Sequence, residues 1–149
     1  MEILKKPIVE NCVWKVSDFK DENEWTYHFS DDEILELENA ASQIIKKNLA
    51  PTSFSKKDFV LNKLENVLSD QLDILQQGRG FIRLRGIQPE KYDELTLQTI
   101  YWGVCSHFGS GIPQNSKGEL MSGVKDYGDK LKSDNPYREG IRSVSYTHL

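Results

Sequence analysis

The stretch GRGFIRLRGI at residues 78–87 predicts a short β-strand held between glycines. Ile82 and Leu84 alternate with Phe81, Arg83 and Arg85, and this alternation is typical of a strand that buries one face. The glycines do not form a nucleotide-binding loop, because the G-x-G-x-x-G spacing is not met and the sequence contains no G-K-[ST] motif. We therefore interpret the stretch as a structural strand and not as a phosphate-binding loop.

Amphipathic helices are predicted on both sides of this strand. Ser30 and Glu33 have the S-x-x-E spacing of a capping box, so a helix is expected to begin there and to end before Pro51. Leucines recur at three- and four-residue intervals over residues 61–75, which predicts a second helix that ends at Gly78. A third helix is expected over residues 92–107, with Gly109 closing it and an apolar face made of Leu97, Ile100, Tyr101, Val104 and Phe108.

The segments outside these helices complete an α+β prediction for one domain. Residues 14–29 mix aromatic and acidic side chains without a sustained period, so we interpret them as an irregular arm on the surface, anchored by Trp14, Trp25, Tyr27 and Phe29. The stretch LMSGVKDYG at residues 120–128 predicts another strand, and the polar region after it is interrupted by Pro136 and Gly140.

Composition disfavours membrane and nucleic-acid partners. The net charge is -4 with both signs interspersed, so no broad basic surface for nucleic acid is expected. No apolar run approaches the length that spans a bilayer, and the N-terminal residues lack a secretory signal, which predicts a cytoplasmic protein that does not bind membranes. Cys12 and Cys105 lie far apart without C-x-x-C spacing, as in a reducing compartment.

The residues that carry catalytic chemistry do not form a complete active site. His28, His107 and His148 are not followed two residues later by Asp or Glu, and the sequence has neither an H-E-x-x-H nor a G-x-S-x-G motif. Cys105 and His107 are two positions apart on a predicted helix, so they point in different directions and do not suit a shared metal ion. His107, close to a helix end, is interpreted as a packed, hydrogen-bonded ring or a partner of the helix dipole.

A collinear set of short motifs nevertheless resembles a known enzyme family. In order, these are the arm with Trp14 and Asp18, KKDF, GRGFIRLRG, YWG, HFG, PQN and VKDYG. Together they resemble the N-terminal part of the taurine dioxygenase-like (TauD/TfdA) family of non-haem iron oxygenases. The resemblance extends over residues 7–143.

The resemblance implies a fold and an activity for the parent protein. Members have a double-stranded β-helix, or jelly roll, in which two histidines and one carboxylate hold Fe(II) and leave positions open for 2-oxoglutarate and O2. It implies a hydroxylase acting on a small polar organic substrate, with residues 1–143 forming the N-terminal part of a truncated jelly roll. Gln114 and Asn115 are predicted to contact the substrate, since amide groups both donate and accept hydrogen bonds. The alternative is a turn whose side chains cap the backbone.

The last six residues, VSYTHL at 144–149, are expected to be foreign to the protein. They match the translation of a transposase adapter used in sequencing libraries, so His148 is not interpreted as a metal ligand. Because the H-x-D/E pair of the resembled family is then missing, the chain is expected to be an inactive fragment that binds neither iron nor 2-oxoglutarate. Two alternatives stay open: a non-catalytic α/β interaction module, and a relative of the oxygenases that has lost its iron.

Overall fold

The computed structural model describes residues 9–115 and 117–121. The chain divides into two compact units, Met1–Ile112 and Pro113–Leu149. The helices and strands in the described residues all belong to the first unit, in the order β1 (Thr26–His28), α1 (Asp31–Lys46), α2 (Lys63–Gln77), β2 (Arg83–Arg85) and α3 (Glu94–Phe108). The predicted strand at residues 120–128 and the tail at residues 144–149 lie outside the described residues, apart from Leu120 and Met121.

Helix α1 begins at the predicted capping box. The backbone N–H of Glu33 donates to Ser30 Oγ at 3.4 Å, and the N–H of Ser30 donates to Glu33 Oε2 at 2.8 Å. These reciprocal bonds satisfy donors that the first helical turn leaves without an intrahelical acceptor. Leu37, Ala41 and Ile44 are buried, as the spacing of apolar residues predicts. The prediction for this helix is confirmed.

Helix α2 begins two residues later than predicted, because its N-terminus is capped by another helix. Asn62 precedes the helix and makes no side-chain cap bond. Instead Glu36 of α1 accepts hydrogen bonds from the backbone N–H groups of Asn62 and Leu64. Leu61 is buried in the connection before the helix, so its place in the predicted helix was wrong although its burial was expected.

Strands β1 and β2 form a two-stranded parallel sheet. Tyr27 pairs with Leu84 in the register, and both side chains pack against the core. The prediction of a strand in residues 78–87 is confirmed, but the prediction that residues 14–29 are wholly irregular was wrong, since β1 lies within them. Gly86 after β2 has φ +120°, and a Cβ there would lie 3.1 Å from the carbonyl oxygen of Phe29, so glycine suits this close approach of the backbone.

The N-terminal arm is held by aromatic packing, as predicted for Trp14 and Trp25. Four rings, which we call the arm cluster, lie with neighbouring centroids 5.0–6.4 Å apart, and they belong to Trp14, Phe19, Trp25 and Phe81. The indole N–H of Trp14 also donates to the carbonyl of Arg79 at 3.0 Å. Phe81, which precedes β2, thereby packs against the arm, whereas Leu84 within the strand packs against the core.

Helix α3 packs against both α1 and α2 and completes the core of the first unit. Ile100 and Val104 are buried as predicted, but Tyr101 is 59% exposed, so its placement on the buried face was wrong. Thr99, Gly103 and His107 take part in that face instead. The helix ends at Phe108, with Gly109 at its C-cap as expected. None of the helices that the structure describes is long and apolar enough to cross a membrane.

Candidate functional site

The PQN loop forms a hydrogen-bonded turn in the second unit. The backbone N–H of Gln114 donates to the carbonyl of Glu119 at 2.7 Å. Asn115 Oδ1 accepts from the backbone N–H groups of Lys117 and Glu119 at 3.0 and 3.2 Å, and its Nδ2 donates to the Glu119 carboxylate. The amide of Asn115 therefore closes its own turn, which is the geometry of the capping alternative. Substrate binding by Gln114 and Asn115 stays a prediction.

The two histidines in the described residues have different environments. His28 is exposed at the end of β1, whereas His107 is buried on α3. His107 Nε2 lies 3.2 Å from the carbonyl oxygen of Phe59. Because a carbonyl oxygen only accepts, Nε2 carries the proton of this bond. The interpretation of His107 as a packed, hydrogen-bonded ring is confirmed.

No metal centre is formed within residues 9–115 and 117–121: no three His, Cys, Asp or Glu side chains there are arranged to hold an ion. Cys105 is half-buried, and burial raises the pKa of its thiol above the ordinary value, while a hydrogen bond with Tyr101 opposes that shift. A thiol with a raised pKa is a poor nucleophile at neutral pH. His148 lies outside the described residues.

A cleft of about 270 Å³ lies at the C-terminal end of α3. Its walls include Trp102, Cys105 and Phe108, and glycines and serines of residues 106–111 complete the lining. The indole N–H of Trp102 donates to the carbonyl of Phe54 at 2.9 Å, which fixes the ring in place. The cleft contains no acid–base pair, so its geometry supports packing or binding and no catalytic step.

The sheet carries a charged face that sequence reasoning missed. Arg83 Nη2 lies 2.6 Å from Glu22 Oε2, and Arg83 Nε donates to Thr26 Oγ1 at 2.9 Å. Arg85 Nη1 is 3.7 Å from the same carboxylate. The hydrogen bond from Arg83 holds the pKa of Glu22 below its usual range. These side chains are substantially exposed, so the ion pairs stabilise the sheet only modestly.

Two tyrosine hydroxyls bind glutamates of α1 and were also missed. Tyr27 donates to Glu33 and Tyr92 donates to Glu38, each at 2.7 Å between oxygens. In both cases the hydrogen bond to a carboxylate, followed by burial, raises the pKa of the tyrosine to about 12. Tyr92 and Glu38 are 54 residues apart in sequence, so no local pattern could have identified this pair.

Comparison with known proteins finds relatives at low sequence identity. No family model matches the chain. It is 28% identical over 128 residues to FR-33289 synthase of Streptomyces rubellomurinus, an alignment that covers 86% of the chain and 38% of that protein. It is 26% identical over 133 residues to taurine hydroxylase-like protein SAT17 of Stachybotrys chartarum, covering 88% of the chain and 34% of that protein.

These relatives agree with the resemblance seen in the sequence at a coarse level. Their names suggest an oxygenase of the taurine hydroxylase type, at low identity. The chain spans little more than a third of the length of these curated relatives, 38% and 34%. The alignments cover nearly nine-tenths of the chain, so the similarity is not confined to one motif.

Proposed function

We propose that the chain is the N-terminal part of an Fe(II)- and 2-oxoglutarate-dependent oxygenase that hydroxylates a small polar organic substrate, with O2 as co-substrate. The observation that carries the proposal is the similarity over 86% of the chain to FR-33289 synthase, alongside the taurine hydroxylase-like relative. The collinear motifs from the arm to VKDYG support the same assignment.

The described residues do not fit an iron site. A site of this kind needs two histidines and one carboxylate facing a common point, and neither His28 nor His107 belongs to such a group within the part of the chain that the structure describes. His107 is moreover already bound to the carbonyl of Phe59. In this proposal the iron ligands and the residues that bind 2-oxoglutarate come from other parts of the full-length protein, and no catalytic step is assigned to the described residues.

The role proposed for the described residues is to form a scaffold. Within the described residues, twelve apolar side chains are buried in one cluster, to which α1, α2 and α3 all contribute. Hydrogen bonds to glutamates of α1 also join other segments to this helix, namely the Glu36 cap and the two tyrosine–glutamate bonds. Function is carried by sites placed on a fold, so a buried apolar core is compatible with a supporting role and assigns no chemistry to these residues.

The native gene provides the first test. Re-amplifying the locus from source DNA and sequencing past the codon for Ser143 is expected to replace VSYTHL with native sequence. From the family resemblance, an H-x-D or H-x-E motif is expected within about 10 to 20 codons, with a further histidine downstream to complete the ligands. A native read that keeps VSYTHL and then stops contradicts the proposal and favours the interaction module. A longer read without the motif favours a relative that has lost its iron.

Activity of the full-length protein provides the second test. With Fe(II), 2-oxoglutarate and O2, it is expected to release succinate when the correct compound is present. Suitable candidates are taurine-like sulfonates, aryloxy acids, carnitine precursors and amino acid derivatives. Exchanging the first histidine of the new motif for alanine is the matched control and is expected to abolish succinate release. Succinate release that is unaffected by this exchange would contradict the assigned site.

A further inference from the structure

We draw no further inference here: the strongest candidate, the apolar cleft of about 270 Å³ lined by Trp102, Cys105 and Phe108 at the C-terminal end of α3, carries nothing because no feature of the described residues shows what covers it.

Discussion

Single hydroxyl groups link the sheet and the loop before α3 to helix α1. Tyr27 and Tyr92 each donate to a glutamate of that helix, and each has its pKa raised to about 12. An unfolded tyrosine ionises near pH 10, so the native state holds these protons more tightly than the unfolded state does. The stability that they contribute is therefore fully present below about pH 10 and is lost as the pH rises through about 12.

Replacing both tyrosines should flatten this alkaline loss. In the Tyr27→Phe, Tyr92→Phe double variant the hydroxyls are absent, so unfolding no longer releases their protons at high pH. The urea midpoint of the variant is expected to be lower than that of the unaltered chain at pH 8, and to fall less between about pH 10 and 12. Circular dichroism of the helices measures both midpoints. If the urea midpoints of the two proteins fell equally steeply over that pH range, the two tyrosine hydroxyls would not be the cause of the alkaline loss.

The ring of His107 should stabilise the fold through its hydrogen bond to the carbonyl of Phe59. His107→Phe keeps an aromatic ring but leaves the buried carbonyl of Phe59 without its donor. We expect a loss of about 1–3 kcal/mol in the free energy of unfolding, the usual cost of an unsatisfied buried acceptor. His28→Phe is the matched control at an exposed position and is expected to change the value by less than about 0.5 kcal/mol. Similar losses in the two variants would contradict the role given to His107.

Helix α3 packs closely against Phe59 at Gly103, a position without a side chain. A Cβ on Gly103 would lie 2.5 Å from two ring atoms of Phe59, and Phe59 is fully buried. At Gly109, at the C-terminal end of the same helix, nothing lies within 4 Å of the corresponding position. A side chain at Gly103 would therefore clash with Phe59, whereas a side chain at Gly109 would meet no other atom.

Alanine at these two positions should have different effects on stability. Gly103→Ala gains about 1 kcal/mol of helix propensity, but overpacking against Phe59 is expected to cost more, about 1–3 kcal/mol. Gly109→Ala meets no steric obstacle and is expected to be neutral or slightly stabilising. Thermal unfolding of both variants measures the difference. A more stable Gly103→Ala variant would show that the ring of Phe59 moves aside without cost.

Helix α2 should depend on a residue of α1 for its cap. Glu36→Ala removes the acceptor for the N–H groups of Asn62 and Leu64, so we expect a loss of about 0.5–2 kcal/mol, as for other N-cap deletions. Gln43→Ala, at an exposed position on α1, is the matched control. Hydrogen exchange of the first-turn amides of α2 distinguishes the cause, since these amides should exchange faster only in the Glu36 variant. Protection that is unchanged in that variant would rule out the cap.

Local signals in the sequence accounted for the elements whose ends are formed by neighbouring residues. The capping box of Ser30 and Glu33 and the glycine after α3 could be predicted, because each acts within a few positions of the helix end. The start of α2 could not, because its cap comes from Glu36, 26 residues before Asn62. Strand β1 was missed for the same reason, since three residues pair only with a distant strand.

On the scale of the whole molecule, the described residues form a buried apolar core. Twelve apolar residues form the buried cluster, while no three potential metal ligands converge within residues 9–115 and 117–121. The sequence correctly predicted that His107 is a packed, hydrogen-bonded ring, because the spacing of apolar residues placed this histidine on a helix. The sequence could not decide between a substrate contact and a turn for Gln114 and Asn115, because amide side chains serve equally well in both.

The 149-residue chain is expected not to bind Fe(II) together with 2-oxoglutarate. Anaerobic titration should give no metal-to-ligand charge-transfer band, because a carboxylate and two histidines are required to hold the metal in this chemistry. The full-length protein serves as the positive control. A band that appears with the chain, and that survives deletion of residues 144–149, would reveal a site that the described residues do not contain.

The parallel pairing of β1 with β2 also has a consequence for synthesis on the ribosome. Thr26 and Arg83 are 57 residues apart, so β1 leaves the ribosome long before its partner strand. At about 5–20 residues per second, the delay is roughly 3–11 seconds. Trp14, Phe19 and Trp25 also precede Phe81, the fourth ring of the arm cluster, by a similar length of chain. During that interval the arm presents three aromatic side chains that lack the cover of Phe81, and such exposed apolar surface is open to chaperone binding or misassociation.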